Sequence, residues 1–111
     1  MEILKEYGIN GDKRMRYNLL EAQGTNLNEM IGQRLNIKAY LLVSDMNPET
    51  GEPRKSLKVI TDDCEIIGTR SISFISGFER FLACMETDEC TEFEVGQARS
   101  KAGRNYLTFR A

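Results

Sequence analysis

The clearest hydrophobic pattern in this chain is a stripe between Ser71 and Met85. Apolar residues recur there at helical spacing, at Phe74, Ile75, Phe78, Phe81, Leu82 and Met85. The opposite side carries polar residues such as Glu79 and Arg80, so the predicted helix has one apolar face. Ser71 or Ser73 can cap its first turn, because a serine hydroxyl accepts a hydrogen bond from an N–H group left unpaired at a helix start. The pattern predicts a helix that plugs the end of a small sheet or barrel.

The clearest strand is Leu35–Ser44, where apolar and polar residues alternate. The alternation predicts inward side chains at Leu35, Ile37, Ala39, Leu41 and Val43. Residues 45–53 contain both prolines of the chain and a glycine, which indicates a hairpin loop. A return strand is predicted over about residues 55–61, and its outward side chains are Lys58 and Ile60.

Three other stretches alternate in the same way. Arg14–Glu21 is predicted to be a strand whose inward face is formed by Met15, Tyr17 and Leu19. Glu92–Arg99 and Asn105–Arg110 are predicted to form a final hairpin, with Gly103 at a positive φ in its turn. Residues 1–12 fit an arm, a helix or a disordered segment, and these alternatives stay open.

Together these elements predict one domain over residues 1–111 that is mainly β with one central helix. Five to six short antiparallel strands, with a helix before the last hairpin, are typical of an OB-like Greek-key barrel. A chain of 111 residues suffices for a single hydrophobic core. Its 41% apolar and 29% charged residues are those of an ordinary globular protein.

The residue types give little basis for catalysis or metal binding. The chain has no histidine, and its three cysteines form no C-x-x-C pair, so neither a zinc site nor a disulfide framework is predicted. The thiols are expected to be reduced and mostly buried. Asp62 and Asp63 are common turn residues, and Cys84 has no predicted base beside it. We expect no enzymatic activity, no metal and no cofactor.

Targeting signals are also missing from the pattern. No apolar run approaches the roughly 18 residues that a membrane span needs. The first residues lack the basic start and long apolar stretch of a signal peptide. We therefore expect a cytoplasmic protein that has no membrane partner.

Charge is distributed unevenly near the end of the chain, although the net charge is only -2. The segment Glu86–Glu94 contains five acidic residues and no base, whereas residues 95–111 contain four bases and no acid. Such asymmetry is typical of a contact surface, and it also occurs on an ordinary solvated face.

The outward positions of the predicted strands combine basic and aromatic side chains. Tyr40 and Tyr106 could stack on bases, a contact that is worth roughly 1–3 kcal/mol per base. The cations predicted to contact phosphates are Arg14, Arg16, Lys38, Lys58, Arg99, Lys101, Arg104 and Arg110, and Arg54 and Lys55 would flank the groove. This combination is typical of a sequence-tolerant binder of single-stranded nucleic acid. Ordinary polar strand faces would produce the same pattern.

The sequence from Thr61 onward resembles a known family. An acidic turn, Thr61-Asp62-Asp63, is followed by T-R-S-I-S-F-I-S-G-F, a charged loop, and E-F-E-V-G-Q-A-R-S-K-A-G-R-N-Y-L-T-F. This half of the chain resembles the C-terminal half of small single-stranded DNA-binding proteins encoded by tailed bacteriophages. The resemblance implies an OB fold, no catalysis, and coating of single-stranded DNA during phage replication in the cytoplasm of the host cell. The chain departs from that family in its few aromatic residues, since it contains no tryptophan.

We therefore predict single-stranded DNA binding without strong sequence preference, in phage-type DNA replication or recombination. The alternative is a non-enzymatic accessory module of a phage or mobile element. It would bind a host or replication protein through the acidic segment Glu86–Glu94 or an exposed strand edge. Whether copies of the chain assemble, and whether DNA or RNA is preferred, stays open.

Overall fold

Strand β3 (Arg34–Met46) is the longest strand, and three other strands pair with it. The structure is a computed structural model that describes residues 1–111. Its other strands are β1 (Glu2–Tyr7), β2 (Thr25–Asn26), β4 (Pro53–Thr61), β5 (Ile66–Thr69), β6 (Glu92–Arg99) and β7 (Asn105–Arg110). The α-helices are α1 (Lys13–Glu21) and α2 (Ile72–Met85), and a 3₁₀ turn covers Leu27–Met30. Neither α-helix is long and apolar enough to cross a membrane.

The strand order confirms a mainly β, OB-like barrel with a helix before the last hairpin. Strands β3, β4 and β5 pair in succession as antiparallel neighbours, and β6 returns to lie beside β3. That arrangement is a Greek key, in which the fourth strand lies beside the first. Strand β7 pairs only with β6, and no ladder joins β5 to β7. The curled sheet is therefore not closed into a complete barrel. The short strand β2 lies parallel to the outer edge of β5.

The predicted strand at Arg14–Glu21 is wrong, because these residues belong to helix α1. The Asp12 carboxylate accepts hydrogen bonds from two backbone N–H groups of the first turn, both at 3.1 Å, and so caps the helix. Met15 and Leu19 are four residues apart, so the apolar residues satisfy the helical period as well as the strand period. Tyr17, which was predicted to face inward, is 64% exposed.

Residues 1–12, whose structure the sequence left open, begin with strand β1. This strand is antiparallel to β3, with Glu2 opposite Ser44 and Tyr7 opposite Tyr40. Strand β1 and the start of β6 therefore share one edge of β3, while β4 occupies the other edge. The first residues of the chain are thus part of the sheet.

The prediction for the faces of β3 is wrong beyond Ile37, and Tyr40 is consequently buried. The register of β3 against β4 shifts between Ile37 and Ala39, as at a β-bulge. One additional residue in a strand reverses the face of every residue that follows it. Leu35 and Ile37 therefore share the main core with Tyr40 and Leu42, which are fully buried.

A second, smaller core explains why β3 is apolar on both faces. It consists of Ile9, Leu19, Ala39, Leu41, Val43 and Ile60. Helix α1 supplies Leu19, so this helix covers the face of β3 and β4 that is turned away from the main core. Ile60 is buried in this second core, so the outward position predicted for it is wrong.

Helix α2 fills the main core as the apolar stripe predicted. Its buried residues are Phe74, Ile75, Phe78 and Leu82, whereas Met85 is 58% exposed and was wrongly placed in the stripe. The Ser71 hydroxyl accepts from the backbone N–H of Phe74 at 3.2 Å and caps the helix. The Ser73 hydroxyl instead donates to the carbonyl oxygen of Leu107 at 2.7 Å, and thereby ties α2 to β7.

Gly8 and Gly11 provide a matched test of how closely β1 and its loop pack on β3. Both have a positive φ, of 77° and 78°, which costs an alanine about 1–2 kcal/mol. A Cβ atom at Gly8 would also clash with the carbonyl oxygen of Lys38, whereas a Cβ atom at Gly11 would contact nothing within 4 Å. We expect Gly8→Ala to lower the free energy of unfolding by about 2 kcal/mol more than Gly11→Ala does. Urea denaturation measures both, and equal losses would contradict this packing.

Candidate nucleic-acid interface

The β6–β7 hairpin presents the basic end of the chain. Its register places Tyr106 opposite Ala98 and Asn105 opposite Arg99. Gly103 has a φ of 82° in the turn, as the sequence predicted. Tyr106 is 41% exposed, and it therefore occupies the outward position expected from the strand alternation.

The tip of this hairpin carries three exposed cations, Arg99, Lys101 and Arg104. None of them takes part in any of the six ion pairs of the structure. We call these three residues the basic tip. Their charge is uncompensated at close range, so it is available to an anionic partner.

Beside the hairpin lies a cleft of about 440 Å³, which we call the amide cleft. Residues lining it include Asn28, Ile31, Gln97, Asn105, Tyr106 and Leu107. Strand alternation places Tyr106 on the other face of β7 from Asn105 and Leu107, so Tyr106 forms the rim of the cleft. The cleft opens where β7 has no partner strand.

A second and larger cleft, of about 720 Å³, lies between the end of α1 and the strands β4 and β5. We call it the basic cleft, because its lining includes Lys58 and Arg70 and only one acidic residue, Glu21. Asn28 and Ser71 line both clefts, so the two are contiguous. Together with the basic tip they form the candidate interface.

Lys58 is half-buried in the basic cleft and also stabilises the end of α1. Its ammonium group donates hydrogen bonds to the carbonyl oxygens of Ala22 and Leu20, the latter at 3.4 Å. A cation at this position satisfies carbonyl groups that lack partners at a helix C-terminus. Burial, followed by the neighbouring positive charge of Arg70, lowers the pKa of Lys58 from its ordinary value.

Arg70 was missed by the sequence prediction. Its guanidinium donates to the hydroxyl of Ser56 at 3.2 Å, it is exposed, and it forms no ion pair. The residue follows β5, and the four residues of that strand are too few to establish an alternation. One feature of the sequence could have identified Arg70 as a candidate phosphate contact. It precedes the predicted helix cap Ser71 by one residue, so its cation would lie beside a helix N-terminus.

Two of the cations predicted to contact phosphate, Arg16 and Arg110, and the two predicted to flank the groove, Arg54 and Lys55, are held in ion pairs. The pairs are Arg16–Glu6 (2.8 Å), Arg54–Asp45 (3.0 Å), Lys55–Glu79 (2.9 Å) and Arg110–Glu94 (3.4 Å). The hydrogen bond from Arg54 lowers the pKa of Asp45, so this carboxylate stays charged beside it. None of the four cations lines either cleft.

Three other predicted residues lie away from the candidate interface. Arg14, on α1, and Lys38, at the bulge of β3, are exposed but line neither cleft. Tyr40 is fully buried, and its hydroxyl donates to the carbonyl oxygen of Asp88. Burial raises the pKa of Tyr40, and its ring packs edge-on against Phe78 with centroids 4.9 Å apart. Stacking of Tyr40 on a base is therefore excluded.

The acidic segment Glu86–Glu94 lies at the opposite end of β6 from the basic tip. Three of its acids form ion pairs within the chain, namely Asp88 with Lys5, Glu92 with Arg34 and Glu94 with Arg110. At about 3.3 Å per residue, the start of β6 is roughly 23 Å from its end. The acidic and basic ends of the chain are thus well separated.

The cysteines do not form a reactive cluster. Cys64 and Cys84 are exposed and Cys90 is buried, so the expectation of mostly buried thiols is wrong for two of the three. Burial raises the pKa of Cys90 to about 11. The structure contains no group of three or more potential metal ligands.

Comparison of the chain with known proteins complements this geometry. No protein-family model, no curated protein and no solved structure matches the sequence or the fold. The interface therefore has to be interpreted from its own side chains. These can attract phosphates through Arg70 and the basic tip, stack an aromatic ring on Tyr106, and form hydrogen bonds through several carboxamides.

The different environments of the thiols give a direct test of the packing around Cys90. The thiolate is the reactive form, so an exposed thiol is modified quickly and a buried one with a raised pKa slowly. We expect a thiol reagent at pH 8 to modify Cys64 and Cys84 in the folded protein and Cys90 only after unfolding. Peptide mass spectrometry locates the modified residues. Rapid modification of Cys90 in the folded protein would contradict its burial.

Proposed function

We propose that this chain binds single-stranded DNA without catalysis, in replication or recombination of the phage type. The observation that carries the proposal is that the two clefts are contiguous and that Asn105, which lines the amide cleft, lies opposite Arg99 and next to Arg104 of the basic tip. This surface combines an exposed tyrosine, uncompensated cations and free carboxamides, and it excludes nearly all acidic side chains. Binding of single strands depends on such a combination of stacking and phosphate attraction.

The position of the clefts on the barrel also supports the proposal. In OB-folds, oligonucleotides bind on the face of the second and third strands, beside the loop between strands 1 and 2 and the loop between strands 4 and 5. Strands β4 and β5 are the second and third strands of the Greek key here. The β3–β4 hairpin loop and the β6–β7 turn are the corresponding loops, and the latter carries the basic tip.

The start of α2 supplies a further contact for phosphate between the two clefts. Ser71 lines both clefts and caps this helix of 14 residues. The N–H groups of Ile72 and Ser73 have no acceptor within the chain, as is usual at a helix start. Arg70 precedes them, so a phosphate at this position would meet both a cation and free N–H donors. A strand lying across both clefts would be anchored there.

Replacing Tyr106 tests the stacking contact. We expect Tyr106→Ala to weaken binding of a labelled oligo-dT about tenfold, since one stacked base contributes roughly 1–3 kcal/mol. The dependence of affinity on salt should stay almost unchanged, because no charge is lost. Tyr17→Ala is the matched control, since Tyr17 is 64% exposed on α1 but lines neither cleft. Fluorescence anisotropy measures both variants, and wild-type affinity of Tyr106→Ala would exclude this face as the binding surface.

Replacing single cations tests the phosphate contacts. For single strands, each lost contact lowers the slope of log K against log salt by about 0.7. We expect this reduction for Arg70→Ala and for Arg104→Ala. Arg80→Ala is the control, because Arg80 is exposed on α2 and unpaired but lines neither cleft. Equal slopes in all three variants would show that the phosphates lie elsewhere.

The same titration distinguishes the proposal from its alternative. Absence of binding to oligo-dT at micromolar protein concentration and low salt would end the DNA proposal. It would favour a module that binds a host or replication protein through the segment Glu86–Glu94 or an exposed strand edge. Such a module would retain its partner when Tyr106 is replaced.

A further inference from the structure

We infer that the amide cleft reads one base of the bound strand and prefers adenine there. This inference rests on the proposed function, and it adds a base-selective position to an otherwise sequence-tolerant surface. A single selective position per bound copy leaves most of a long strand unread. The preference is therefore modest for the strand as a whole.

Three carboxamides meet at the amide cleft without partners of their own. Gln97 and Asn105 come from the β6–β7 hairpin, on the same face as Leu107, and Asn28 comes from the opposite wall. The backbone N–H of Asn28 donates to the Asn26 side chain at 3.0 Å, which fixes the backbone and leaves the Asn28 carboxamide unbonded. None of the three carboxamides forms a hydrogen bond within the chain, so all are available to a ligand.

The apolar lining of the cleft suits a flat ring. Ile31, which is 38% exposed, lies on one wall, and Leu107 lies buried on the other side. Tyr106 stands at the rim, on the opposite face of β7. The outer edge of β7 has no partner strand, and α2 contacts it at Leu107 through Ser73, so a nucleic-acid strand can cross this edge at Asn105 and Tyr106. One base would then stack on Tyr106 while its neighbour enters the cleft.

The choice of adenine follows from the hydrogen-bonding groups of a carboxamide. Each carboxamide offers one acceptor oxygen and two donor hydrogens, and a side-by-side pair of contacts needs a donor and an acceptor on one base edge. Adenine presents N6–H with N7 on one edge and N6–H with N1 on the other. Thymine and cytosine present such a pair on a single edge only. Guanine presents O6 with N1–H on its Watson–Crick edge, but its other major edge carries two acceptors, N7 and O6, and no donor. Adenine can therefore engage carboxamides from both walls, and an unpaired strand leaves both of its edges accessible.

The test compares an oligo-dT with the same oligonucleotide carrying scattered dA, at one salt concentration. We expect the dA-containing strand to bind the wild-type protein about tenfold more tightly, the lower part of the range for paired amide contacts. The double variant Gln97→Ala with Asn105→Ala should lose this preference, because its affinity for the dA-containing strand should fall by about tenfold more than its affinity for oligo-dT. Asn18→Ala is the control, since Asn18 is exposed on α1 and should preserve the preference. The side-chain amide NMR signals of Asn28, Gln97 and Asn105 should shift with dA and much less with dT.

The outcomes separate the inference from the function on which it rests. Equal binding of both oligonucleotides would overturn the adenine inference while the DNA-binding proposal stands. Retention of the preference in the double variant would likewise overturn it, because the selective contacts would lie elsewhere. Failure of the wild-type protein to bind either oligonucleotide would overturn both.

Discussion

The packing of four phenylalanine rings around Phe109 is the contact on which the geometry of this protein depends. The ring of Phe109 lies 5.3–5.8 Å, centroid to centroid, from those of Phe74, Phe78, Phe81 and Phe93. Three of these partners belong to α2. Gly77 allows the close approach, since a Cβ atom there would lie 2.9 Å from that of Phe109. Because no ladder joins β5 to β7, this cluster holds β7 against α2.

The sequence predicted elements well where the apolar pattern had one period. The stripe of α2 and the alternation of β6 and β7 each fit a single structure, and the structure confirms them. Residues 14–21 satisfy two periods, and the capping carboxylate of Asp12 decides between them. Along β3 both faces are apolar beyond Ile37. The bulge therefore changes which residues face the main core, but the pattern of apolar and polar residues gives no sign of it. The burial of Tyr40 depends on that bulge, which turns its ring into the main core against Phe78 of α2.

The candidate site was predictable only in part, because ion pairs depend on register and tertiary contacts. Strand alternation placed Tyr106, Lys58 and Arg104 outward, where the structure has them, whereas Lys101 was placed only by the predicted turn and Arg99 by no alternation. The same alternation could not show that Arg54 lies opposite Asp45 across the β3–β4 ladder or Arg110 opposite Glu94 across the β6–β7 ladder. The contact between Lys55 and Glu79 joins a strand to a helix and has no local signal. The clefts themselves arise where non-consecutive elements meet.

Net charge is a poor guide to this protein because five of its 17 acidic residues lie in one segment, Glu86–Glu94. Three acids of the segment Glu86–Glu94 are paired with Lys5, Arg34 and Arg110. The last of these acids, Glu94, lies five residues, or roughly 17 Å, before Arg99 of the basic tip along β6. At physiological ionic strength, charges interact over about 8 Å, so the acidic end hardly weakens the attraction at the basic tip. At about 0.01 M salt that range extends to about 30 Å, and both ends then act on a strand together. A net charge of -2 therefore says little about the local potential at the basic tip.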